Sequence, residues 1–173
     1  MAKVITFSRI FPKGHPRCAE LTHFVEQIWN GLNHLKLPVP KNTEIPNDFL
    51  WTILPLKNYG CKYHTIRGGN RWKIGDKFSP RVWSGKPRHS KQIIIAPDIE
   101  IKKLWNVVIE FTPNQTHIML PTKIHSQFQL LSLGDVAKND GLSFQDFEGW
   151  FNPNKEHKTF EGQIICWNEN INY

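Results

Sequence analysis

No stretch of this 173-residue sequence approaches the roughly 18 consecutive apolar residues of a membrane-spanning helix. No basic–apolar–small signal segment opens it either, so the expectation is a soluble, cytoplasmic protein without a membrane partner. Cysteine is scarce: Cys18, Cys61 and Cys166 are odd in number, lie far apart and form no C-x-x-C pair. That spacing excludes a zinc ribbon and a disulfide framework, and reads as three reduced thiols. The eight histidines contain no i,i+4 pair with acidic support, and neither a Walker A loop nor G-x-G-x-x-G is present. No metal and no nucleotide cofactor are therefore expected. Acidic residues are also in deficit, 15 against 22 Lys and Arg, which gives a net charge of +7 and favours a polyanionic partner such as nucleic acid. Repeats, low-complexity tracts and linkers are missing, so residues 1–173 read as one domain, long enough to bury a core without staples.

The residues present describe a chain of short strands with a few helices. Val4 to Phe7 is β-prone and is broken by Phe11-Pro12-Lys13-Gly14. Leu21, Phe24, Val25, Ile28, Trp29, Leu32 and Leu35 recur at helical spacing, which predicts an amphipathic helix over 19–36. Asn47-Asp48 offers a cap for a short helix through Phe49-Leu50-Trp51, which Pro55 disfavours continuing. Residues 77–83, 92–96, 99–111, 116–120, 127–131 and 162–167 read as strands, with a bulge or sheet edge at Pro80. Ser132-Leu133-Gly134-Asp135 and Ser143-Phe144-Gln145-Asp146 resemble capping boxes, the first helix being stopped by Gly141. In the second, Phe144, Phe147 and Phe151 share one helical face. Residues 15–58 form an N-terminal helical elaboration.

One stretch organises the rest. Residues 60–76 hold four glycines and place Lys62, Thr65 and Arg67 close together. Strand side chains alternate faces, so Lys62 and Thr65 share a site only if the strand begins near His64. Gly68-Gly69 then ends the strand with backbone free to take φ > 0, and Ile74-Gly75-Asp76 makes a tight turn. This run, Gly60, Lys62, Thr65 and Arg67 followed by Gly75-Asp76, resembles the signature of the ASCH domain, a branch of the PUA-like superfamily. Ile5-Thr6-Phe7 resembles that family's first strand, and residues 137–147, with Asp140-Gly141, resemble the segment before its last helix.

The resemblance implies an α+β fold, a small mixed or antiparallel PUA-like β-barrel flanked by helices, with helix 19–36 packed outside it. It also implies chemistry. In the branch that removes the acyl group from N4-acylated cytidine, a Lys, a Thr and an acidic residue line the pocket. These fall on Lys62, Thr65 and Asp140 as catalytic residues, although that branch carries Glu where this chain has Asp, one methylene shorter. A lysine desolvated beside other cations has a lowered pKa and can act as a base, and a hydroxyl nucleophile needs such a neighbour. Arg67 is placed in the pocket to bind an anionic or carbonyl oxygen, with a pair to Asp76 as its alternative role.

Arg71 and Trp72 extend the substrate-binding set. Arg81, Trp83, Lys86, Arg88 and Lys91 mix cations with an aromatic, a composition suited to phosphate contacts and base stacking. The bland alternative buries each Trp and leaves a solvated basic loop. Lys62 as a solvated lysine and Asp140 as a turn residue before Gly141 are the bland readings of the other two. The expected partner is RNA or a modified nucleoside. The function classes are a hydrolase, acting on an acylated nucleoside or on RNA as a ribonuclease, and a non-catalytic RNA-binding or regulatory module; an accessory protein with a structural role is a third.

Overall fold

The computed structural model describes residues 2–39, 58–112, 114–122 and 127–173. The helix expected around residues 47–51 lies outside them. The fold is α+β: nine strands in two sheets, with three helices among the described residues.

In the first sheet, β1 (Lys3–Thr6) runs parallel to β3 (Lys77–Trp83), whose other side carries β4 (Gln92–Ile94) and β5 (Ile99–Glu100), both antiparallel. Pro80 therefore sits in a central strand, not at the edge expected from its missing N–H. The reason is a gap in the ladder. β4 pairs with β3 only as far as Ile94 opposite Arg81, and β5 resumes at Ile99 opposite Phe78. Between them the Pro80 carbonyl accepts from Ile95 N–H, and its nitrogen faces a position where no strand asks for a donor.

The second sheet is wholly antiparallel. Its order is β2 (His64–Gly68), β9 (Lys158–Cys166), β6 (Lys103–Phe111), β7 (Thr116–Pro121), β8 (Phe128–Leu131). β9 is longer than the 162–167 expected, because its first half pairs with Val107–Phe111 of β6. The β-prone run 99–111 is split in two: Gly75 N–H donates to Ile101 O and Ile101 N–H to Asp76 O, which draws 101 out of line. Phe78 of β3 packs against Trp167 after β9, with centroids 5.8 Å apart, and so joins the two sheets in one core. The ladders form two sheets and do not close into a barrel among the described residues.

The helix expected over 19–36 is shorter, α1 spanning Phe24–His34. Residues 19–22 are claimed by another partner: Phe11 N–H donates to Glu20 O, Ala19 N–H to Phe11 O and Thr22 N–H to Arg9 O, with a bridge between Ile10 and Leu21. Leu21 thereby leaves the helical stripe and becomes exposed. α2 (Leu133–Asn139) and α3 (Phe144–Phe151) start where the capping residues placed them, since Ser132 Oγ accepts from Asp135 N–H and Ser143 Oγ from Asp146 N–H. α2 ends in a Schellman motif: Gly141, at φ 76°, donates to Lys138 O and Leu142 N–H to Ala137 O. On α3, Phe147 is fully buried and meets Phe151 at 4.8 Å, while Phe144 turns outward. No described helix is long and apolar enough to cross a membrane.

Candidate functional site

β2 begins at His64, so the residues just before it are free of the strand's alternation. They are wedged between two helices. Lys62 N–H donates to Gln27 O of α1, and Tyr63 N–H donates to Asn139 O of α2. Gly31 permits the approach of α1: a Cβ there would stand 2.6 Å from the Lys62 carbonyl oxygen. Lys62 is thus held at the point where α1, β2 and the C-terminus of α2 meet, and its side chain is 1% exposed.

Its partner is supplied by the C-cap of α2. Lys62 Nζ donates to Asp140 Oδ1 at 2.5 Å and also to the Asp140 main-chain carbonyl. Asp140 is therefore a turn residue before glycine and a buried carboxylate facing the lysine, both at once. The Lys62 ammonium also lies 4.3 Å from the centroid of Phe24. Burial lowers the Lys62 pKa below its usual 10.5 and neighbouring Arg67 adds to this, against the raising effect of Asp140. Burial likewise raises Asp140, while the charges of Lys62 and Arg67 oppose it. Both shifts act against the charged form of each group.

Lys62, Thr65, Arg67 and Asp140 line one cavity of about 630 Å³. The volume is typical of small-molecule sites. Lys62, Thr65 and Asp140 are buried there and Arg67 half-buried, and the walls include five aromatics, Phe7, Phe24, Trp83, Trp150 and Phe151. The Arg67 guanidinium donates Nη2–H to Thr6 O at 2.8 Å and lies 5.4 Å from the centroid of Phe7, while its buried Nε has no hydrogen-bond partner. Asp76, the alternative partner of Arg67, is paired instead with Lys3 at 2.7 Å.

The remaining sequence-predicted residues divide. Trp72 does not line the cavity; it is buried against Phe78, and its main chain is bracketed by the Gln163 amide. Arg71 is exposed, stacks on Trp72 at 5.3 Å and is also outside the lining. Arg81 is half-buried and tied to Ser79 and Gln92. Trp83 and Arg88 do reach the cavity, the latter from the loop after β3 at φ 65°, and Lys86 and Lys91 are exposed on that same loop. Sequence reasoning missed the aromatic walls from residues 7, 24, 150 and 151, which come from three separate segments. It also missed His64, fully buried beside Asp140, although its position two residues from Lys62 on the inward face of a strand was a readable signal.

No protein-family model, curated protein or solved structure matches the chain.

Proposed function

We propose that the cavity recognises a modified pyrimidine nucleoside, free or within RNA, and hydrolyses an exocyclic amide such as that of N4-acylated cytidine. The domain is read as ASCH-like, of the PUA-like superfamily, on the motif at residues 60–76. One observation carries the reading: a buried lysine bonded to a buried carboxylate shares a cavity with a threonine and an arginine whose Nε has no partner. The aromatic walls suit a planar base.

The groups present divide the reaction as follows. Thr65 attacks the amide carbonyl, or orients the water that does. Lys62, whose pKa burial lowers, takes the proton released when in its neutral form. The 2.5 Å contact lets that proton reach Asp140, which delivers it to the leaving amine as the C–N bond breaks. The Arg67 guanidinium steadies the oxygen as its charge develops. Water supplies the hydroxyl of the carboxylic acid product, and the amine leaves as cytidine.

A second reading has support in the bond from Lys62 to the Asp140 main chain, which also makes the pair a tie between α2 and β2. In that case the cavity binds without reacting, and the loop with Lys86, Arg88 and Lys91 holds RNA phosphates. Incubation of the purified protein with a panel of N4-acylcytidines, followed by chromatography, separates the two. Release of cytidine and free acid supports the hydrolase; binding of the same compounds without product supports the module.

A further inference from the structure

His64 is used by none of the steps above, yet it is fully buried against the carboxylate that they depend on. Its two ring nitrogens face opposite kinds of neighbour. Nε2 meets the Tyr173 hydroxyl at 2.9 Å, and that hydroxyl accepts from Asn139 Nδ2 at 2.9 Å. With one lone pair of the phenol occupied by the amide, the O–H is free to donate to Nε2. Nδ1 is buried 3.6 Å from Asp140 Oδ1, just beyond hydrogen-bond reach, and has no hydrogen-bond partner of its own. A donor at Nε2 and a carboxylate oxygen on the other side place the ring proton on Nδ1.

We propose that His64, locked as the Nδ1–H tautomer by Tyr173, is a positioning residue for Asp140. It points an N–H dipole, 3.6 Å away, at the same Oδ1 that Lys62 contacts, so the carboxylate lies between the lysine and the imidazole. Asn139 closes the arrangement, since it holds Tyr173 and immediately precedes Asp140 in the chain. Burial and the Lys62 charge keep the imidazole neutral by lowering its pKa well below 6.5. The charged and titratable groups around Asp140 are Lys62, Arg67 and His64; those around Tyr173 are Cys166, Asp140 and Asp135. The role in catalysis rests on the hydrolase reading, whereas the tautomer and its effect on Asp140 do not.

The test has two parts. Long-range ¹⁵N–¹H spectra of the wild type report the tautomer directly. A proton on Nδ1 is expected, and a proton on Nε2 overturns the proposal whether or not the protein is an enzyme. The second part compares His64→Asn, whose amide can replace the Nδ1–H donor, with His64→Gln, whose amide reaches the Nε2 position instead. Loss of a donor raises the proton affinity of Asp140. The falling limb of the pH–rate profile, set by the Asp140 acid, should therefore move up by about half to one pH unit in His64→Gln. It should stay in place in His64→Asn. If no amide is turned over, ¹³C carboxyl shifts of Asp140 give the same comparison. Equal losses of stability in both variants, with no displaced titration, would make His64 a packing residue only.

Discussion

Lys62 and Asp140 meet at 2.5 Å although 78 residues separate them, one from the lead-in to β2 and the other from the C-cap of α2. Neither is available to bulk water, so each is the other's main electrostatic environment. Their pairing gives the predictions on stability and on chemistry a common origin.

The first concerns stability and pH. Burial holds the Asp140 pKa above its unfolded value. A carboxyl raised in this way favours folding at pH below its unfolded pKa, and that advantage is lost as pH rises through the folded value. Lys62→Met removes the cation that opposes the shift and so extends the loss to higher pH. The variant should be destabilised by about 3–5 kcal/mol at pH 8 and by clearly less at pH 5. Lys62→Met with Asp140→Leu should recover most of the loss, because no charge is then left unpaired. Urea denaturation at the two pH values measures both.

The second concerns the helix contact behind the site. Replacing a helical glycine by alanine normally gains about 1 kcal/mol. At Gly31 the new Cβ would meet the Lys62 carbonyl oxygen at 2.6 Å, and backbone cannot swing aside as a side chain can. Overpacking costs about 1–3 kcal/mol and outweighs the gain. Gly31→Ala should lower the urea midpoint at unchanged slope.

The third concerns RNA. Arg81 is engaged within its sheet, so the cations to test are Lys86, Arg88 and Lys91, on the loop beside the cavity. Single-stranded RNA should bind weakly, with affinity falling as salt rises. Replacing the three by alanine should flatten the slope of log K against log salt by up to about 2, at roughly 0.7 per phosphate contact. An unchanged slope would make the loop a solvated surface.

The fourth is the pH dependence of turnover. The base must be neutral, and burial lowers Lys62 from 10.5. The rising limb of the pH–rate profile should therefore fall below pH 10.5. In Arg67→Met that limb should move up, because a neighbouring positive charge has been removed.

Much of this was legible because local chemistry set it. The two capping serines, the αL glycine at 141 and the start of β2 at His64 depend on residues within a few positions. The resemblance placed Lys62, Thr65, Arg67 and Asp140 together, and all four line one cavity. What failed depended on distant pairing. Helix 19–36 lost its first turn to hydrogen bonds with residues 9–11, and Pro80 is tolerated in a central strand only because β4 and β5 leave a gap beside it. Trp72 sits beside a basic residue in the sequence but beneath Phe78 in the core, a difference that no local pattern encodes. The aromatic walls come from residues 7, 24, 83, 150 and 151 and have no common motif.

The central claim is that the Lys62–Asp140 pair moves a proton for amide hydrolysis. It is tested most directly by kcat/KM on the best-turned-over N4-acylcytidine for the wild type, Lys62→Ala, Thr65→Val and Asp140→Glu, each checked for folding by circular dichroism. The account predicts loss of at least about 10²-fold in Lys62→Ala and Thr65→Val, the scale of a missing acid–base group. In Asp140→Glu, which keeps the carboxyl and extends its reach, activity should be retained or raised. Turnover that persists in folded Lys62→Ala, or its absence from the wild type for every compound, would contradict the account.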